Sequence, residues 1–236
     1  MANLIEIFSS AQGEGKYVGC RQIFIRSAGC NLNCAYCDTN FRRADFCNVE
    51  TFAGSMNFEK ILNPVSAEEV AAIVKKFAAE IPTQAVSFTG GEPLIHWEFI
   101  GDVAKLIDTK ILLETNGTLF GELAKILDAV DIISMDIKLP SVAGDFFSAH
   151  REFLKLARAK DLYVKIVISA ETTPEEFDAA LEILLPDDLL ILQPVTPVNS
   201  VRAISARRIL ELQARALRKL KSVRVIPQTH RMLKIL

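Results

Sequence analysis

Seven short apolar runs, each closed by a polar or turn residue, recur along the chain with helical stretches between most of them. They are QIFIRS (22–27), AVSFTG (85–90), ILLETN (111–116), DIISMD (131–136), LYVKIVIS (162–169), LLILQP (189–194) and VRVIP (223–227). Runs this short and this continuously apolar suit strands buried on both faces, which belong to parallel sheets. The clearest helix begins at SAEEVAAIVKKFAAE, where Ser66 and Glu69 form a capping box and Val70, Ile73, Val74 and Phe77 fall on one face. Further helices are predicted near 97–107, 120–127, 146–159, 174–184 and 203–219. Repeated βα units imply an α/β fold with a parallel sheet, open or curled into part of a barrel. At 236 residues the chain suits one domain spanning 1–236.

A formal net charge of -2 and a pI near 6.0 leave no electrostatic footprint for nucleic acid or an anionic membrane surface, so the expected partners are small molecules. The sequence has no run of about eighteen apolar residues that would cross a membrane. Its start, MANLIEIFSS, lacks the basic and then apolar pattern of a signal peptide. The expectation is a cytoplasmic protein, in which five cysteines serve as thiols or metal ligands rather than bridges.

The unusual polar residues gather where the predicted strands end: TGGEP after Phe88, ETNGT after Leu113, SMDIK after Ile133, QPV after Leu192 and PQTH after Ile226. In barrel enzymes that rim carries the active site. The stretch 41–65 reads as the one long irregular segment, and a long loop directly after the cysteines is expected to serve the site.

Those cysteines, Cys30, Cys34 and Cys37, stand in a C-x3-C-x2-C pattern within RSAGCNLNCAYCDTNF. Three is too few for a structural zinc site, which needs a fourth ligand from Cys20, Cys47, His96, His150, His230 or solvent, none at conventional finger spacing. A four-iron cluster held by three thiolates instead leaves one iron open to bind another molecule.

With Tyr36 just before the last cysteine and TGGEP downstream of a strand, the pattern resembles the signature of the radical S-adenosylmethionine (SAM) superfamily. The resemblance implies that Cys30, Cys34 and Cys37 hold a 4Fe-4S cluster. Its fourth iron would chelate SAM, whose reductive cleavage yields a 5'-deoxyadenosyl radical. FSSAQGEG (8–15), IRSAGCNLNCAYCDT (25–39), ETNGT (114–118), DIKLP (136–140) and PQTH (227–230) extend the likeness to the 7-carboxy-7-deazaguanine synthase family. That family converts 6-carboxy-5,6,7,8-tetrahydropterin to 7-carboxy-7-deazaguanine with SAM and Mg2+, in the pathway to queuosine and related deazapurines. The resemblance implies a shortened (βα)6-type partial barrel, a homodimer, and an external electron donor such as flavodoxin or ferredoxin.

Carried over residue by residue, Ala11, Gln12 and Gly13 match positions that meet the pterin, where the Gln12 amide can both donate and accept. Glu14 matches an acceptor for the guanidine-like end of the pterin, and the planar fork of Arg26 suits its carboxylate. Thr89 matches a further substrate contact. Thr39 matches a hydroxyl ligand of Mg2+, an ion that takes few protein ligands. Gly91 matches a backbone contact to SAM, where a missing Cβ permits close approach. Ser134, Asp136 and Lys138 alternate along a strand end and so share a face, matching the region that holds SAM, and Gln193 completes the nucleoside pocket. His230 reads as structural, and Cys20 and Cys47 as buried free thiols. Two other readings remain at this point: an activase that places a glycyl radical on a partner protein, and a zinc or iron-sulfur binding module without activity.

Overall fold

The computed structural model describes residues 1–37, 39, 41–198 and 201–236. Its first strand, β1 (Leu4–Ala11), runs antiparallel to β2 (Arg21–Ser27). Then come β3 (Phe46–Glu50), β4 (Phe58–Leu62), helix α1 (Ala67–Glu80) and a regular βα succession. That succession is β5 (Ala85–Gly90), α2 (Trp97–Ala104), β6 (Ile111–Thr115), α3 (Phe120–Ile126), β7 (Ile132–Asp136), α4 (Pro140–Ala143) and α5 (Phe147–Ala157). It continues with β8 (Asp161–Ile168), α6 (Pro174–Leu181), β9 (Leu189–Pro194), α7 (Ala206–Ala216), β10 (Ser222–Val225) and α8 (Thr229–Leu233).

The ten strands form one open sheet in the order β10-β9-β8-β7-β6-β5-β2-β1-β3-β4. Every pairing along β2-β5-β6-β7-β8-β9-β10 is parallel, as the apolar runs predict. The Ser66 capping box is present: Ser66 Oγ accepts from Glu69 N at 3.2 Å while Glu69 Oε2 accepts from Ser66 N at 2.8 Å. Val70, Val74 and Phe77 are buried and Ile73 packs at their margin. The last long helix is shorter than its sequence pattern, because Ser205 caps it by accepting from Arg208 N and so fixes its start.

The segment 41–65 departs from expectation. Most of it is an antiparallel β3–β4 hairpin at the sheet edge. Its connection folds around the carboxylate of Glu50, 1% exposed, which accepts from Ser9 N at 2.9 Å, Gly54 N at 3.0 Å and Met56 N at 2.7 Å. A buried anion satisfied by three backbone donors orders a turn that has no turn motif in its sequence. The edge strand β4 is largely exposed and carries Lys60, a cation where another sheet would otherwise add.

Side chains alternate along each parallel strand, and those on the inner face form tiers. The lowest tier is apolar: Ala85, Leu112, Ile132, Tyr163 and Ile191 pack together with Tyr17 against them. Two residues further along the same strands stand Ser87, Glu114, Ser134, Lys165 and Gln193. Two further still stand Thr89, Asn116, Asp136, Val167 and Val195. The intervening residues, among them Phe88, Leu113, Met135, Ile166 and Leu192, face the helices and build the main core. A two-residue period therefore converts the inner face from an apolar floor to a polar cavity within two steps toward the C-terminal strand ends.

Candidate active site

All fifteen residues singled out from the sequence line one cavity of about 530 Å³ above that floor. Cys30, Cys34, Cys37 and Thr39 enter from the loop after β2, and Gly91 from the turn after β5. Ser134, Asp136 and Lys138 enter from β7 and its end, and Gln193 from β9. Ala11, Gln12, Gly13 and Glu14 come from the end of β1, Arg26 and Thr89 from β2 and β5. Arg26 and Thr89 are register partners across β2 and β5.

The cysteine loop is fastened at several points. Gly29 N donates to Phe41 O at 2.7 Å, Ala35 N to Val142 O at 2.9 Å and Cys37 N to Cys34 O at 3.1 Å. Asn31 receives the Asn116 amide at 2.8 Å and donates to Thr118 Oγ1 at 2.8 Å, tying the loop to the TNG turn after β6. The TNG turn is held in turn by Glu92 of GGEP, fully buried, which accepts from Thr115 Oγ1 at 2.9 Å and Asn116 N at 2.7 Å. Burial outweighs these hydrogen bonds and pushes the Glu92 carboxyl up to about 7.

Gly91 is glycine for a reason the sequence did not show. A Cβ there would stand 1.8 Å from Gly29 O, so the bare backbone is required by the cysteine loop itself rather than by a ligand alone. Gly13 answers a similar demand, since a Cβ would overlap the His230 ring at 2.2 Å. Thr229 N donates to Gly13 O at 2.9 Å, so QGEG and PQTH brace each other across the mouth of the cavity.

Burial raises the thiols of Cys30 and Cys34, and Lys138 opposes the shift in both. The Lys138 ammonium donates to Asp136 Oδ2 at 2.8 Å and Tyr36 Oη at 3.2 Å and lies over the Tyr36 ring. Burial alone would lower Lys138, but Asp136 and Tyr36 carry it well above the ordinary lysine range. It is a fixed cation beside the thiols, favouring the thiolate form that metal binding needs.

Several expectations about individual side chains change. Both N–H bonds of the Gln12 amide are already used, on Gln22 Oε1 and Glu114 Oε1 at 2.9 Å each, and its oxygen receives Glu14 N at 3.0 Å. Gln12 is a strut for Glu114 and leaves no amide donor for a heterocycle. Arg26 donates through Nε to Glu6 Oε1 at 2.6 Å and lies over the Phe8 ring, so it joins a partly buried ion pair while still facing the cavity. Glu14 is paired with Lys165 Nζ at 2.6 Å. Cys47 is buried in the core, its thiol pushed up to about 12 by burial, whereas Cys20 is only half-buried, against the expectation that both would be interior.

Glu114 and Lys165 were missed. Glu114 accepts from Thr89 Oγ1 at 2.8 Å as well as Gln12, and both residues line the cavity. The signal was there to find: each is a charge interrupting an apolar strand at the parity that faces inward. Among the candidate zinc partners, His96 contacts Ala28 O at 2.9 Å and His150 contacts Asn116 O at 3.1 Å, neither on the cavity wall. Among the described residues, no group of three His, Cys, Asp or Glu side chains is arranged to share one metal ion.

Three thiols on a loop over the C-terminal rim of an open, mostly parallel sheet, facing GGEP, define a radical SAM enzyme. The family model of the radical SAM superfamily matches residues 24–184, more than half of the chain, and the chain belongs to that superfamily. It is 42% identical over 98% of its length to the 7-carboxy-7-deazaguanine synthase of Geobacter sulfurreducens, 96% of which is covered. The enzyme of the same name from Methanocaldococcus jannaschii is 36% identical, with 88% of each chain covered. The chain therefore belongs to the 7-carboxy-7-deazaguanine synthase family. Its fold is that of QueE from Escherichia coli, with a TM-score of 0.62 at 22% identity over 98% of this chain and 95% of that one.

As a radical SAM enzyme the protein uses a 4Fe-4S cluster and SAM. The residues present fit both. Three thiols with a cation beside them suit a cluster whose irons each take one thiolate. Asp136 Oδ1 and Gln193 Oε1 are buried on the same wall without a hydrogen-bond partner among the described residues. Buried acceptors left open cost stability unless a ligand supplies donors, and the ribose hydroxyls and amino groups of SAM are donors.

Proposed function

We propose that the chain converts 6-carboxy-5,6,7,8-tetrahydropterin to 7-carboxy-7-deazaguanine with release of ammonia. The observation that carries this is that one cavity is lined by both sets of groups that the reaction needs. Cys30, Cys34, Cys37, Asp136, Lys138 and Gln193 stand toward the cluster loop and β7–β9. Glu6, Arg26, Thr89, Glu114 and Glu14 offer a cation and several acceptors for a small, flat, nitrogen-rich acid. When bound, the cluster and SAM supply the one-electron chemistry. The protein binds the pterin ring, fixes its orientation and keeps other hydrogen donors away from the reacting carbon.

Arg26 faces the substrate carboxylate, Glu14 accepts from the amino-pyrimidinone edge, and Thr89 is oriented by its hydrogen bond to Glu114. Thr39 would hold Mg2+ through its hydroxyl, the ion supplying positive charge beside the substrate carboxylate. Ser134, Asp136, Lys138 and Gln193 hold SAM, with backbone contact at Gly91. The working enzyme is proposed as one domain over 1–236, a cytoplasmic homodimer reduced by flavodoxin or ferredoxin. No helix among the described residues is long and apolar enough to cross a membrane.

The test is an anaerobic assay of the reconstituted protein with SAM, Mg2+, dithionite and the carboxypterin. Loss of the pterin matched by the deazaguanine acid and ammonia is the expected result, and SAM cleavage with the pterin untouched would overturn the proposal. Arg26→Leu provides a sharper check on the carboxylate contact. Removing a charge-assisted contact of about 1.5 to 3 kcal/mol should weaken pterin affinity by about tenfold to more than a hundredfold. Iron content and SAM cleavage without pterin should stay normal. Unchanged affinity would leave Arg26 as the partner of Glu6 only.

A further inference from the structure

We propose that Lys165 is a positioning residue for substrate recognition: its ammonium holds the Glu14 carboxylate charged and aimed so that it receives the two donors on the amino-pyrimidinone edge of the pterin. The inference rests on the pterin reading above and deepens it.

Lys165 is an inward-facing residue in the middle of β8, and Glu14 lies 151 positions earlier at the end of the QGEG turn. Their side chains are 13% and 19% exposed and meet at 2.6 Å, Lys165 Nζ on Glu14 Oε2. The other oxygen, Oε1, accepts from Gln228 Nε2 at 2.8 Å, and Gln228 is itself fixed by Thr196 Oγ1 at 2.6 Å. A carboxylate has about four acceptor positions, and these two contacts use one on each oxygen. Two parallel N–H donors on a ring edge require a further position on each oxygen, and Lys165 and Gln228 take one apiece.

The charges around Glu14 come from several elements. Lys165 reaches it from β8, with Tyr163 below on the same strand, and His230 approaches from the C-terminal segment. Asp136 on β7, 3.6 Å from Lys165 Nζ, and Glu114 on β6 act on Glu14 through Lys165, both favouring its ammonium form. Burial alone would push Glu14 up, but the Lys165 charge and hydrogen bond, with Gln228 and His230, bring it down to about 2. Without the ammonium, burial is opposed only by Gln228 and His230, and the carboxyl holds a proton to higher pH than in the wild type. A protonated carboxyl turns one acceptor into a donor and meets the N–H edge with the wrong hydrogen.

The experiment measures equilibrium binding of 6-carboxytetrahydropterin to the reconstituted, SAM-loaded, unreduced holoenzyme from pH 6 to pH 9. The variants are Lys165→Met, Lys165→Arg and Glu14→Gln, with iron content and SAM binding confirming assembly. Titration of the ligand itself is common to all four proteins and cancels in the ratios. Relative to wild type, the Met variant should lose affinity as pH falls, about tenfold for each unit below its raised Glu14 pKa. The Arg variant should keep the wild-type profile. Glu14→Gln should bind weakly at every pH with no added dependence. A flat Met-to-wild-type ratio with a weakened Gln variant would overturn the role of Lys165 while leaving Glu14 as a substrate contact. An Arg variant that acquires the pH dependence would overturn it as well. Wild-type affinity in Glu14→Gln would remove the pterin contact on which the inference rests.

Discussion

Cys34→Ala should abolish the visible absorbance that appears on anaerobic reconstitution, together with SAM cleavage. Cys34 is one of three thiols on the cavity wall and among those that Lys138 draws toward the thiolate. With two thiolates left, the cluster loses a ligand that nothing nearby replaces: among the described residues the half-buried Cys20 and the core residue Cys47 do not line the cavity. Cys47→Ala is the matched control. It removes a buried sulfur from β3 at a cost of about 1 to 2 kcal/mol of stability and should leave the iron content unchanged. Equal loss of iron in both variants would show that the ligands have been misassigned.

Gly91→Ala should be nearly as severe. The added methyl would sit 1.8 Å from Gly29 O and 3.1 Å from the Phe41 Cβ, on two stretches of chain that flank the cysteines. A backbone carbonyl cannot rotate away as a side chain does, so either the GGEP turn or the cysteine loop must move. Both hydrogen bonds that join them, Glu92 N to Gly29 O at 2.9 Å and Gly91 N to Ser27 O at 3.2 Å, are then at risk. Iron content after reconstitution and uncoupled 5'-deoxyadenosine formation should both fall to near background. Gly121→Ala, in helix α3 with nothing within 4 Å of the new Cβ, should instead stabilise the protein by about 0.5 to 1 kcal/mol. A Gly91→Ala enzyme with a full cluster and normal SAM cleavage would mean that the loop has slack absent from the structure.

The parallel sheet was legible because its strands are short apolar runs, and β5 and β9 fall on the predicted residues to the position. The rim was legible for a related reason: a strand buried on both faces has to end in residues that water, turns or ligands can satisfy, and ETNGT and SMDIK stand out against what precedes them. The β3–β4 hairpin was hidden because its order comes from one carboxylate, Glu50, whose donors include Ser9 on another strand. Likewise Gln12 was read as free to meet a ligand, yet its amide is fixed by Glu114, 102 positions away. Lys165 sat in plain view within LYVKIVIS, but its partner Glu14 belongs to a turn at the opposite end of the sequence. Local pattern therefore located the cavity and its residues, whereas the pairings that decide which side chains remain open to a ligand are long-range.

The central claim is that this cavity places the pterin against SAM so that hydrogen leaves one carbon of the ring. The most direct measurement follows deuterium from 6-carboxytetrahydropterin labelled at C6, incubated anaerobically with SAM, Mg2+ and reductant. Conversion of the carboxypterin to 7-carboxy-7-deazaguanine and ammonia is neutral in electrons, so the hydrogen taken from C6 is matched by one given back. The account predicts deuterium in the 5'-deoxyadenosyl group of SAM and of any 5'-deoxyadenosine formed, with 7-carboxy-7-deazaguanine that has lost the label. Unlabelled 5'-deoxyadenosine accompanying turnover, or SAM cleavage that the pterin leaves unchanged, would contradict it.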